Sequence, residues 1–199
     1  MDMRYTPTQE AANWAETLIH SRRTTLPKRL VGPGPDPGQR QKILSAAAAA
    51  PDHDQILPWR LVEITTEQRP RLAQAFCAAL LERDPQATAD EQQTARDKAY
   101  RSPWLLLAVL QKALPGHDVP DAERLISAGA AIQNMLLQAT AMGLGSGLTS
   151  GKALQSAAIR QLFRLRDHEE AVCFVSIGHI AEERRPRTRP AIDAFFSRL

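Results

Sequence analysis

Apolar residues recur along the chain in two rhythms. Ala11, Trp14, Ala15, Leu18 and Ile19 stand at helical spacing and form one stripe of an amphipathic helix. Its start is marked by Thr6-Pro7-Thr8-Gln9, with Thr6 as N-cap, Pro7 at the first helical position and Gln9 at the third. The same signal, Asp36-Pro37-Gly38-Gln39, predicts a second helix running to about Ala50. Residues from Glu67 to about Tyr100 are helical in pattern, with a break near Asp84-Pro85. The strongest helix opens at Asp121 and ends at Gly143. Its apolar positions, from Leu125 and Ile126 through Ile132, Met135 and Leu136 to Met142, cover most of the circumference and predict burial on nearly all sides. A last helix is expected from about Ala153 to Leu165.

Unbroken apolar runs predict strands. WLLLAVLQ (104–111), between Pro103 and Pro115, reads as a buried central strand, and AVCFVSIGHI (171–180) as another. RLVEIT (60–65) is a shorter one. LVGPGPDPGQ (30–39) reads as a loop, and so does GLGSGLTSG (143–151), a helix C-cap at Gly143 followed by a flexible turn. Helices outnumber strands and interleave with them, which leaves α/β and α+β open. A chain of 199 residues suits one domain, 1–199.

Charge narrows the partners. A formal net charge of +3 suits a phosphate or another anionic ligand and falls short of a nucleic-acid-binding surface without a basic stripe. The cations gather in short clusters: Arg22-Arg23, Lys28-Arg29, and Arg184, Arg185, Arg187 and Arg189 near the end. Cys77 and Cys173 lie far apart in apolar surroundings, as buried free thiols of a reducing compartment do. The five histidines show no metal spacing. The first residues lack the apolar core of a signal peptide, and the apolar runs are too short to cross a bilayer, so a cytoplasmic protein is expected, with no membrane partner.

Three stretches could carry chemistry. GLGSGLTSG fails the dinucleotide fingerprint, because Leu148 stands where the third glycine belongs. It fails the P-loop pattern too, because Ser146 replaces a glycine and Ala153 the Ser/Thr. A glycine-rich turn can still let backbone N–H groups approach a planar or anionic ligand. Ser21-Arg22-Arg23-Thr24 offers guanidinium forks and hydroxyls to a phosphate, and it equally suits a solvated helix end. His53 follows Pro51-Asp52 in APDHDQILPW (50–59), and no serine or cysteine nearby makes a hydrolase triad with it.

In order along the chain, Arg-Arg-Thr after the first helix, Ala-Pro-Asp-His closing with Pro58-Trp59, and a long apolar helix running into Gly-x-Gly and then Ser150-Gly151 resemble the nitroreductase family of flavoproteins. The Asp-His pair is similar to that of its small, compact members. The resemblance implies an α+β fold with a central, mostly antiparallel sheet flanked by helices. It also implies an intertwined homodimer holding FMN at the subunit interface, with hydride passing from NAD(P)H to nitroaromatic, quinone or related acceptors. Carried over by position, Arg22, Arg23 and Thr24 bind the FMN phosphate and ribityl chain. His53 reaches the partner's flavin with Leu57 beside it, and Thr149, Ser150 and Gly151 lie along the isoalloxazine edge or the phosphate side. The cofactor carries the chemistry, so no catalytic side chain and no metal are expected.

This chain departs from the pattern in three places. Leu57 stands where Gln usually precedes Pro-Trp, Leu148-Thr149 where Trp-Arg is common, and Leu26 where a basic residue is frequent, with Lys28 nearby. Leu57 and Leu148 motivate a second reading, a flavin-binding dimer without reductase turnover.

Overall fold

The two long apolar runs lie side by side at the centre of one five-stranded antiparallel sheet in the computed structural model of the chain. The structure describes residues 7–113, 115–116, 118–182 and 188–199. In chain order the elements are α1 (Gln9–Ser21), β1 (Leu30–Val31), α2 (Pro37–Ala47), β2 (Trp59–Glu63), α3 (Arg69–Arg83), α4 (Ala89–Asp97), β3 (Trp104–Gln111), α5 (Asp121–Ala141), β4 (Gly145–Thr149), α6 (Ala157–Leu162) and β5 (Glu169–Ile180), with short 3-10 turns between them. The strand order is β1-β5-β3-β2, and β4 also pairs with β5. β3 is buried from Trp104 to Leu110 because helices cover both sheet faces. One face packs Trp104, Leu106, Val175 and Ile177 against α2 and α5 through Ile43, Met135 and Leu136. The other packs Leu105, Leu107, Val109 and Phe174 against α3 and α6 through Leu72 and Ile159. This is the expected α+β class. The registers of β2 and β5 on β3 are continuous except for a bulge opposite Ala108 and Val109, where β5 carries one extra residue, Val172.

Several boundaries differ from expectation, each for a local reason. The cap of α1 is Thr8, not Thr6, which lies outside the described residues; the Thr8 hydroxyl accepts from the Ala11 amide at 3.1 Å. α2 opens as expected, with a reciprocal capping box between Asp36 and Gln39, but ends at Ala47, and Ala48 to Ala50 only form tight turns before Pro51. The break between α3 and α4 is built by a second capping box, Thr88 with Glu91. The helix expected from Ala153 to Leu165 is a 3-10 turn, Lys152–Gln155, followed by α6 capped by Ser156. Leu30 and Val31, expected in a loop, pair with Ile180 and His179.

Two expectations fail outright. The stretch 143–151 is not a flexible turn, because Gly145 to Thr149 form β4 along β5. α5 is not buried all round: Leu125 and Ile126 face solvent, whereas Arg124 and Ser127 are buried. The apolar count was right, but charge and hydroxyl can turn inward when satisfied. The Arg124 guanidinium donates to the Val119 carbonyl and the Ser127 hydroxyl accepts from the Trp59 indole. Both cysteines are buried and free, and burial pushes the Cys173 thiol up to about 11.

Candidate functional site

The path of the chain after α1 runs close against β4 at Gly147. The Thr25 amide donates to the Ser146 carbonyl at 2.8 Å, and Thr24 bridges Ser146 in parallel. A Cβ on Gly147 would stand 2.3 Å from the Thr25 carbonyl oxygen, and one on Gly145 would stand 2.6 Å from Ile180 Cγ1. At Gly147 no side chain fits, because the atom in the way is backbone; at Gly145 the atoms in the way belong to the Ile180 and Leu30 side chains. Gly147 therefore lets the segment after α1 cross closely over β4. That crossing brings Arg22-Arg23-Thr24 alongside β4, which ends at Thr149 just before Ser150 and Gly151.

At this crossing the charge is positive. Arg189 comes from the end of the chain and donates to the Arg22 carbonyl at 2.9 Å. Arg23 donates to the carbonyls of His20 and Arg22. Partial burial first, then the charges of Arg189 and Arg23, pull Arg22 below the usual arginine range. Among the described residues no carboxylate is ion-paired with any of the three. Such a cluster leaves guanidinium N–H groups for an anion with several oxygens. Nothing in the motif at 21–24 pointed to Arg189; its only signal was the basic tail, of which Arg184, Arg185 and Arg187 lie outside the described residues.

Thr149, Ser150 and Gly151 line a cleft of about 690 Å³, together with Leu26 and Lys28 from the turn before β1. That volume is within the range of about 300–1,000 Å³ usual for small-molecule sites. Leu148, just before them, is exposed.

His53 sits apart from this cluster. Its Nδ1 lies 2.6 Å from a Glu123 carboxylate oxygen in the first turn of α5, and its Nε2 lies 3.7 Å from Asp54. The Glu123 hydrogen bond, then the charges of Asp54 and Glu123, raise its pKa above the ordinary imidazole value. Among the described residues no hydrogen bond or ion pair joins His53 to 22–24 or to 149–151. The backbone around it is strained, with positive φ at Asp54, Gln55 and Leu57, none of them glycine. Asp52 holds the loop by accepting from the Leu57 amide at 2.8 Å, while its other carboxylate oxygen is buried without a partner among the described residues. Leu57 points outward and is 56% exposed, so its departure from the motif costs the single chain no packing.

The nitroreductase family model matches residues 19–179. YdjA of Escherichia coli K12, provisionally named an NAD(P)H nitroreductase, is 34% identical over 166 residues, covering 82% of this chain and 86% of YdjA. A Haemophilus influenzae protein with a similarly provisional NAD(P)H nitroreductase name is 31% identical and covers 82% and 87%. A nitroreductase-like protein from Bacillus cereus shares the fold, with a TM-score of 0.80 at 19% identity and 98% of each chain covered. The NADPH:FMN oxidoreductase of Vibrio harveyi, solved with NAD+, superposes with a TM-score of 0.69 at 16% identity, over 92% of this chain and 76% of that one. Arg22 to Thr24, His53 and Thr149 to Gly151 all fall inside the matched stretch, and the chain belongs to the nitroreductase family.

Proposed function

We propose that the protein is an FMN-dependent oxidoreductase that takes hydride from NAD(P)H and passes it to a nitroaromatic, quinone or related acceptor. The observation that carries this reading is the cluster of Arg22, Arg23 and Arg189 beside β4, with no paired carboxylate among the described residues. FMN has one phosphate, of about two negative charges, and the arginines and the Thr24 hydroxyl suit it. From there Thr149, Ser150 and Gly151 lead into the cleft, where a flat ring system finds both backbone and apolar wall. Bound FMN supplies hydride acceptance and delivery; the chain holds it and limits access by water. Per turnover two electrons and two protons reach the acceptor, so a quinone leaves as hydroquinone and a nitro group as nitroso plus water.

The active unit in this reading is a homodimer in the cytoplasm. α1 has no buried residue in the single chain, and its Trp14 and Ile19 are exposed. Phe195 and Phe196 at the end of the chain, and Leu125 and Ile126 on α5, are exposed as well. Apolar surface on this scale is what a second copy covers. Among the described residues no helix is long and apolar enough to cross a membrane. Leu57 and Leu148, both exposed and apolar, support the second reading, a dimer that binds flavin without turning over.

One spectrum and one titration test both readings. The purified protein is expected to be yellow, to release FMN on heating, and to bleach when NADPH is added without oxygen. Released FAD, or a colourless protein that takes up no FMN, sinks the cofactor assignment. A yellow protein that neither NADPH nor NADH bleaches favours the dimer without turnover.

A further inference from the structure

Glu123 turns its carboxylate away from the usual task of its position. It is the third residue of α5, where an acid ordinarily reaches back to the amide of the N-cap residue. Here that residue is Pro120, which has no amide proton, and no side chain caps the helix. The carboxylate instead meets His53 Nδ1 at 2.6 Å, across 70 residues of chain. An ionised carboxylate only accepts, so Nδ1 carries the proton. Both side chains are half-exposed, and such a pair stabilises a fold little. It does orient the ring. Nε2 is turned the other way; it lies 3.7 Å from Asp54, too far for a hydrogen bond, and has no other partner among the described residues. The loop that carries His53 has positive φ at Asp54, Gln55 and Leu57, a strain that persists where surrounding contacts hold it.

Three carboxylates act on this ring, Glu123 from α5 and Asp54 and Asp52 from its own loop. The neighbours of Glu123 on α5 are engaged elsewhere: Asp121 accepts from the Ala113 amide, and the buried Arg124 donates to the Val119 carbonyl. The Glu123 hydrogen bond first, then the charges of Asp54 and Glu123, raise the imidazole above its ordinary 6.5.

We infer that Glu123 is a positioning residue: it fixes the proton on His53 Nδ1 and aims Nε2 at the FMN bound by the partner chain, so that the potential of the flavin depends on the pair. The inference rests on the flavoenzyme reading and adds to it a residue outside the binding motifs. Reduction by hydride adds one negative charge beside Nε2, and a protonated Nε2 donates to it. The carboxylate stands behind the ring, where it sets the tautomer and stabilises the charged form. Because the folded value is raised, the cation persists above pH 6.5 and is lost as the pH climbs through that raised value. In Glu123→Gln the amide oxygen still accepts from Nδ1 but carries no charge, so the ring loses its proton at lower pH.

The test is the midpoint potential of bound FMN, read against a reference dye at a series of pH values in the parent protein and in Glu123→Gln. Between the two imidazole values the variant should favour reduced over oxidised FMN about tenfold less, as loss of one charge-assisted hydrogen bond predicts, or about 30 mV for two electrons. Outside that window the drop should vanish. A carboxylate acting on the flavin directly would have the opposite sign, since its removal raises the potential. A rise or no change inside the window therefore overturns the inference. NMR titration of the His53 ring, identified by its loss in His53→Gln, should show the proton leaving at higher pH in the parent than in Glu123→Gln; coincident titrations overturn it as well. In a His53→Gln background, Glu123→Gln should leave the potential in place, and a drop there means that Glu123 does not act through His53. Glu123→Ala reads the same drop if Glu123→Gln fails to fold. A yellow protein, bleached by NADPH, whose potential ignores these substitutions loses this inference alone. A protein that takes up no FMN loses the cofactor reading and this inference with it.

Discussion

Gly147 and Gly151 look alike in the sequence, and the structure gives them opposite meanings. A Cβ at Gly147 would meet the Thr25 carbonyl oxygen at 2.3 Å, a backbone atom that cannot step aside without moving the segment that carries Arg22 to Thr24. A Cβ at Gly151 meets nothing within 4 Å, and the residue is extended, with φ −156. Gly147→Ala is therefore expected to lower stability by about 1–3 kcal/mol, the usual range for overpacking. It should weaken FMN retention at the same time, because the arginines move with the backbone. Gly151→Ala should stay within about 0.5 kcal/mol. Urea midpoints of the two variants beside the parent protein decide the matter; equal losses would remove the crossing as the reason for the glycine. The sequence shows that glycines cluster here. It does not show which of them are forced, because the forcing atom lies more than a hundred residues away, at Thr25.

The same distance explains which elements were legible. β3 and β5 announce themselves by apolar runs, and α2 by its cap, since each signal lies within its own segment. β4 has no such signal: with glycines at 145 and 147 it shows no alternation, and it is a strand because β5 pairs with it along 174–178. The arginine cluster was half legible, as Arg22 to Thr24 form a motif while Arg189 joins only through the fold. Cross-sheet pairing also hid the ion pair between β2 and β5. Arg60 donates twice to Glu169, at 2.7 and 3.1 Å, and the Arg166 amide donates at 2.9 Å. The Arg60 hydrogen bonds outweigh burial and hold the nearly buried Glu169 carboxyl at about 2, against 4.5 for a free one. Because the folded value is depressed, the stabilisation is complete above pH 4.5 and is lost as the pH falls toward 2. Arg60→Met should cost about 3 kcal/mol near neutral pH, the low end for breaking a buried pair because the guanidinium is partly exposed. It should also flatten the acid limb of the stability profile. Urea midpoints across that pH range test this, and a variant whose acid limb matches the parent's would show that other carboxylates carry it.

Assembly decides whether the pieces work as one site. In the single chain His53 is tied to Glu123 on α5, while Arg22, Arg23 and Arg189 gather at β4, and no hydrogen bond or ion pair among the described residues joins the two groups. Trp14, Ile19, Phe195 and Phe196 are meanwhile left exposed. A second copy that covers those surfaces can bring the His53 of one chain to the cofactor held by the arginines of the other. Two variants separate this arrangement from a site built within one chain. In the first, Arg22 and Arg23 become Ala; in the second, His53 becomes Trp and obstructs the flavin. Each homodimer is damaged at both sites. In a mixed dimer with shared sites, one site collects both lesions and the other has none. Co-expression at equal levels makes about half the dimers mixed, so about one quarter of all sites are intact by simple two-fold statistics. FMN bound per chain and NADPH-dependent turnover should recover to about that fraction, relative to near-baseline values for either variant alone. If each site comes from one chain, every site in the mixed dimer still carries one lesion, and neither quantity rises. Differently tagged subunits, co-purified through both tags, establish that mixed dimers are present. Absence of recovery in that doubly purified material would assign His53 to the site of its own chain.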